Sequence, residues 1–65
     1  MSKTEFLYVK PRNEDSKEIF DYLMFGLHSC KVMERNNGLL YLESISKNYN
    51  FYVNESDDPN WEFIK

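Results

Sequence analysis

The sequence predicts a small α+β fold with the element order β-α-β-β-β, in which an antiparallel or mixed sheet has one helix packed on one face. Three observations predict this fold. Residues 15–30 repeat apolar side chains with a helical period, residues 31–45 alternate instead, and an Asn-Gly pair interrupts the alternation. Because a chain of this length buries only about 60% of its unfolded surface, residues 1–65 are expected to form a single domain.

The first predicted strand spans residues 4–10, TEFLYVK. It is dense in β-forming residues and carries apolar side chains on both faces. A strand with two partly apolar faces is typically central in its sheet. Pro11 has no backbone N–H and is expected to end this strand.

The predicted helix spans residues 15–30, where the apolar side chains, including Leu23 and Leu27, fall in one arc of about 140°. Asp15 and Glu18 have the spacing of a capping box and indicate its start. Phe25 departs from the pattern, because it projects from the polar arc. Three interpretations stay open: a loop or the C-terminal segment covers Phe25, the helix is rotated relative to this assignment, or Phe25 contacts a partner.

The second half of the chain predicts a hairpin and two further strands. Asn-Gly is the strongest short hairpin signal, so residues 31–35 and 39–45 are expected to pair around it. Alternation then places Leu40, Leu42 and Ser44 on the core face. Residues 51–53 form the next strand, a loop follows, and residues 61–65 could add a short edge strand.

Composition limits the location and source of the protein. No apolar leader follows a basic start and no apolar run is long enough to span a bilayer, so we expect a cytoplasmic protein without a membrane partner. The sequence lacks Ala and Gln and is rich in Asn, Lys, Tyr and Phe. This bias is typical of AT-rich genomes, and it favours a phage or another mobile element as the source, with the host cytoplasm as the location.

The sequence offers little for catalysis. His28, Ser29 and Cys30 are adjacent, so on the predicted helix they point in different directions and cannot form a nucleophile with its base. One His and one Cys are too few for a closed zinc site, and the two glycines are isolated, so no phosphate loop is present. We therefore expect a protein that is not an enzyme and that needs no cofactor or metal.

The C-terminal segment 55–65 combines acidic and large apolar residues. Residues 1–54 are balanced in charge, and the formal charge of −3 can be assigned to this segment. An acidic run followed by aromatic anchors suits docking into a groove with a basic rim. Alternatively, the segment is a solubilising turn whose aromatic residues fold back on the core. With Phe25 included, the candidate partner-binding residues are Glu55, Asp57, Asp58, Trp61, Phe63 and Phe25.

The sequence therefore favours a small, acidic, non-enzymatic protein-binding module that inhibits or modulates a host or cognate protein. An antitoxin or immunity-type inhibitor fits the same evidence, and homodimerisation would help so small a core. Nucleic-acid binding is a competing class, in which strand tyrosines stack on bases. A pI near 5.0 and scattered basic residues make this class less favourable. The tyrosines in question are Tyr8, Tyr41, Tyr49 and Tyr52.

Overall fold

The computed structural model describes residues 4–64, which form one helix and a five-stranded antiparallel sheet. The predicted α+β fold with one helix on a sheet is confirmed, and the short edge strand near the C-terminus is present as a fifth strand. The spatial order of the strands is β4-β3-β2-β1-β5. The elements are β1 (Phe6–Pro11), α1 (Glu14–Tyr22), β2 (Ser29–Asn36), β3 (Leu39–Ser44), β4 (Asn50–Asn54) and β5 (Trp61–Phe63).

The hairpin between β2 and β3 forms at the predicted Asn-Gly pair. Asn37 and Gly38 have φ angles of 54° and 84°, and two positive φ angles in succession are what a type I′ turn requires. The prediction for the core face of β3 is also confirmed, because Leu40, Leu42 and Ser44 are all buried. Local turn chemistry therefore sets the register next to the turn, and an irregularity between Val32 and Glu34 shifts it farther along the pair.

The sheet curls around its core. β1 lies between β2 and β5, as its two apolar faces predicted. Although β4 and β5 lie at opposite edges, the rings of Phe51 and Trp61 meet with their centroids 5.0 Å apart. Both edge strands therefore contribute side chains to one core. Its buried members are Val9, Phe20, Met24, Cys30, Leu40, Leu42, Phe51, Val53 and Trp61.

The helix begins with a cap that differs from the predicted one. Asn13 Oδ1 accepts a hydrogen bond from the backbone N–H of Ser16 (2.8 Å), and Ser16 Oγ accepts one from the backbone N–H of Asn13 (3.2 Å). This reciprocal pair is a capping box. The predicted box of Asp15 and Glu18 was wrong, because the helix starts at Glu14 and both residues lie inside it.

The helix is also shorter than the apolar period predicted. It ends at Tyr22 rather than at Cys30, because Phe25 and Gly26 have φ angles of 55° and 69° and cannot continue a right-handed helix. The apolar residues that follow belong to a turn and to β2, where Cys30 pairs with Ser44. His28 and Cys30 are consequently not helical.

Candidate functional site

Asp58, one of the predicted contact residues, is a buried structural group. Its Oδ2 accepts a hydrogen bond from the backbone N–H of Asn54 (2.9 Å), and its Oδ1 accepts from those of Asn60 (2.9 Å) and Trp61 (3.1 Å). Hydrogen bonds from amides to an ionised carboxylate are among the stronger ones in proteins. The carboxylate therefore fixes the loop that leads from β4 to β5, and it is not a surface charge.

The remaining acidic side chains of the C-terminal segment each make an ion pair with a cation from a distant part of the chain. These pairs are Glu55 with Arg35 (3.5 Å), Asp57 with Arg12 (3.7 Å) and Glu62 with Lys10 (3.7 Å). Exposed pairs of this kind contribute little to stability. Arg35 is shared, because it also binds both carboxylate oxygens of Glu5 at 3.1 and 3.0 Å. The pairs therefore reduce the acidic character that the docking hypothesis for this segment needs, but they do not cancel it.

The two aromatic residues of the segment lie inward. Trp61 is only 4% exposed and belongs to the core, while Phe63 is half-buried and packs against the core. This is the second of the two alternatives, in which the aromatic residues fold back on the domain. Phe63 and Glu55 still share the wall of a shallow groove of about 260 Å³ with residues of β1. A partner on this side would meet Glu55, Asp57 and the rim of that groove, but not the ring of Trp61.

Phe25 lies far from this segment. The 58–60 loop contacts the N-cap of α1, whereas Phe25 follows the C-terminal end of the helix. It is 60% exposed, and Tyr22 before it is 75% exposed. Leu23 and Leu27 are exposed as well, which corrects their placement on the core face of the predicted helix. The physical reason is the early helix end, which turns both side chains outward.

We call residues 22–27 the apolar turn. Within it, four large apolar side chains are exposed and Met24 alone is fully buried. Single exposed apolar residues are ordinary, whereas four within six consecutive residues make this turn a candidate interaction site. One signal of this site was visible in the sequence, namely the position of Phe25 on the polar arc of the predicted helix. The rest was hidden because Leu23 and Leu27 fitted a helical period.

The backbone of the apolar turn holds Phe25 in an unfavourable conformation. A φ of 55° is rare for a bulky residue and costs roughly 1–2 kcal/mol relative to a right-handed conformation. Gly26 N–H donates to the carbonyl of Phe20 (3.0 Å), and Ser46 Oγ donates to that of Leu23 (2.7 Å). These bonds tie the turn to the helix and to the β3–β4 connection. These hydrogen bonds therefore hold Phe25 in its strained conformation, and residues held in this way are common at functional sites.

By count, the net charge of −3 can be assigned to α1, the helix that precedes this turn. Four of the eleven acidic residues and one of the eight basic residues lie in the helix, which leaves seven of each elsewhere. Lys17 pairs with Asp21 (3.0 Å). Glu14, Asp15 and Glu18 are exposed and make no ion pair with another residue of the 4–64 range. Of these three residues, Glu14 and Asp15 lie in the first turn of α1, and Glu18 lies about one helical turn before Tyr22, where the apolar turn begins.

The outer face of the sheet is the surface on which the alternative function, nucleic-acid binding by strand tyrosines, would depend. Tyr41 and Tyr52 are paired across β3 and β4 with ring centroids 4.7 Å apart, and Tyr8 is also on the outer face. Tyr49 instead packs against the core beside Phe51. The same face carries two cations against three carboxylates, so it lacks the positive charge that phosphates require. These charged residues are Lys10, Lys31, Glu34, Glu43 and Glu62.

The side chains that were examined as catalytic candidates, His28 and Cys30, are each engaged or buried. His28 Nδ1 donates to the carbonyl of Val9 (2.8 Å), since a carbonyl can only accept. Cys30 is fully buried, and burial raises the pKa of its thiol from 9.0 to about 12. Among residues 4–64, no three metal-ligating side chains come together. The geometry of this part of the chain provides no nucleophile with a base.

Burial of Cys30 predicts slow alkylation. At pH 8, iodoacetamide should modify the folded protein at least about tenfold more slowly than the protein in 8 M urea, because the thiolate is the reactive form. The raised pKa also means that stability is retained below pH 9.0 and falls as the pH rises toward about 12, because the unfolded chain loses the proton first. Mass spectrometry of the alkylated protein checks the first expectation. Equal rates in the folded and unfolded states would contradict it.

No helix within residues 4–64 is long and apolar enough to cross a membrane. In the comparisons with known proteins, no protein-family model, no curated protein and no solved structure matches this chain.

Proposed function

We propose that this protein is a non-enzymatic binding module that docks on a partner protein through the apolar turn. The observation that carries the proposal is the exposure of Phe25 on a strained backbone, beside three other exposed apolar side chains. Aromatic anchors supply much of the binding energy in protein interfaces. Gly or Asn adopts this backbone conformation more easily than Phe, and the exposed ring of Phe25 is not part of the buried core.

The acidic residues on α1 indicate the chemistry of the partner. A partner cleft with an apolar floor would accept Phe25, and a basic residue at its rim would meet Glu18, about one helical turn before Tyr22. Such a complex is stoichiometric and blocks whatever surface it covers. The proposed role is therefore inhibition or modulation of a host or cognate protein, as an encoded inhibitor or an immunity-type protein would perform it.

Phe25→Asn separates binding from folding. Asn adopts a left-handed conformation more easily than Phe, so we expect the free energy of unfolding to stay constant or to rise by about 0.5–1 kcal/mol. Capture of the partner should fall at least about tenfold, because an aromatic anchor is lost. Urea denaturation measures the first effect. Affinity capture from a nuclease-treated bacterial lysate, quantified by mass spectrometry, measures the second.

Phe6→Asn is the matched control, because Phe6 is also exposed but lies on β1, outside the apolar turn. It should capture the same protein as the unmodified chain. The proposal fails if Phe25→Asn retains full capture. It also fails if Phe6→Asn loses capture to the same extent while it remains folded.

A further inference from the structure

The turn of the β2–β3 hairpin places an asparagine before a glycine on the surface of the protein. Asn37 and Gly38 are both exposed, and a Cβ added to Gly38 would meet no atom within 4 Å. The chain has seven Asn residues, and Asn37 is the one that precedes Gly, whereas each of the others precedes a residue with a side chain. A reaction between a side-chain amide and the next backbone nitrogen therefore meets the least steric hindrance at Asn37.

We propose that Asn37 is a site of spontaneous deamidation and that the closed turn controls its rate. The Gly38 nitrogen loses its proton to hydroxide and attacks Cγ of Asn37. The new N–Cγ bond closes a succinimide ring, the Cγ–Nδ2 bond breaks, and ammonia leaves after taking a proton from water. Water then opens the ring at one of its two carbonyl groups, which gives aspartate or isoaspartate at position 37.

The geometry of the closed turn prevents this attack. The φ angles of 54° at Asn37 and 84° at Gly38 are those of a type I′ turn, in which ψ of the first residue is about +30°. At this ψ the Gly38 nitrogen lies on the opposite side of the Cα–C bond from Cβ of Asn37, so it is directed away from Cγ. Rotation about ψ brings the nitrogen to the side chain, but it also breaks the turn. Deamidation therefore requires the end of the hairpin to open.

Backbone pairing holds the end of the hairpin closed. Asn36 pairs with Leu39 across the turn, and Glu55 N–H donates to the carbonyl of Gly38 (2.8 Å). Exposed ends of secondary structure open with a smaller free energy than the core does, so this turn opens without global unfolding. Deamidation is consequently slowed in the folded protein, but it is not blocked.

The two products differ in their effect on the fold. Aspartate adopts a left-handed conformation as asparagine does, and Asp-Gly also forms type I′ turns, so this product leaves the hairpin closed. Isoaspartate inserts an additional carbon into the backbone between residues 37 and 38, which a two-residue turn does not accommodate. Both products make the formal charge of −3 more negative by one. The new carboxylate lies two residues from Arg35, which already pairs with Glu5 and Glu55.

Tandem mass spectrometry of peptides measures the reaction, because deamidation replaces NH₂ by OH and raises the mass of the modified residue. The unmodified protein should gain this mass at Asn37 at least about tenfold more slowly in buffer at pH 8 than in 8 M urea at the same pH. The other Asn residues should stay unmodified over the same time.

Gly38→Ala is the matched control, and it is compared with the unmodified chain in urea so that its effect on folding does not enter. The added Cβ hinders the attack on Asn37, so this variant should deamidate at least about tenfold more slowly. Ion exchange isolates the isoaspartyl protein formed from the unmodified chain. Its melting temperature should be at least about 4 °C lower than that of Asn37→Asp, which has the same charge but a normal backbone.

Three results would overturn the proposal. The site is wrong if Asn37 reacts no faster in urea than the other Asn residues, or if Gly38→Ala reacts at the unmodified rate. Control by the closed turn is wrong if Asn37 reacts equally fast in buffer and in urea.

Discussion

Trp61→Ala is expected to unfold most of the protein at 25 °C. Trp61 is buried against Phe51, and truncating a buried aromatic side chain costs about 3–5 kcal/mol. A domain of this size has a total stability of roughly 3–5 kcal/mol, so the loss is comparable with the whole. Urea denaturation followed by far-ultraviolet circular dichroism measures the effect, because the variant loses the single Trp of the chain and with it the fluorescence signal.

Phe63→Ala is the companion variant. Phe63 is only half-buried at the edge of the same core, so a loss of about 1–2 kcal/mol is expected and the variant should stay folded. The alternative role for Trp61, as a contact residue, predicts the reverse for Trp61→Ala. In that case the melting temperature would barely change while partner capture disappeared, and the placement of Trp61 in the core would be contradicted.

Asp58→Ala is expected to lower the free energy of unfolding by about 2–4 kcal/mol. The substitution leaves the backbone N–H groups of Asn54, Asn60 and Trp61 without their acceptor. Those groups connect β4 to β5, so loss of the carboxylate also loosens the strand that carries Trp61. Thermal unfolding measures the loss, and faster hydrogen exchange at the Asn54 and Asn60 amides would locate it.

Two further variants make this test specific. Asp58→Asn keeps one acceptor oxygen and should fall between Asp58→Ala and the unmodified protein. Asp57→Ala removes the neighbouring exposed carboxylate, which makes only a long ion pair with Arg12, and should change stability by less than about 0.5 kcal/mol. Equal stability of Asp58→Ala and Asp57→Ala would show that the amide bonds to Asp58 do not hold the loop.

The hairpin illustrates what can be predicted from a sequence. Asn37 and Gly38 select a two-residue turn through their own backbone preferences, and the turn then sets the register of β2 and β3 as far as Glu34. With the register set, alternation decides that Leu40 and Leu42 face the core. Each of these steps depends on residues that are close together in the chain.

The end of the helix illustrates what a sequence pattern does not predict. An apolar period over residues 15–30 fits one long helix, but it fits equally a short helix, a turn and the start of a strand. Because Cys30 pairs with Ser44 in the sheet, the chain adopts the short helix followed by a turn and a strand. Phe25 then lies in the turn and has a positive φ. The sequence therefore indicated Phe25 as unusual, but not the exposed residues around it.

By itself the sequence determined the α+β class, the order of the elements, the β2–β3 hairpin and the core face of β3. These features follow from local backbone preferences and from the alternation of side chains. Only the tertiary structure decided that Trp61 is a core residue, that Asp58 binds backbone amides, and that Glu55, Asp57 and Glu62 pair with cations from distant parts of the chain. These features depend on contacts between β1, β2 and the C-terminal segment, which are far apart in the chain, and a local pattern carries no information about such distances.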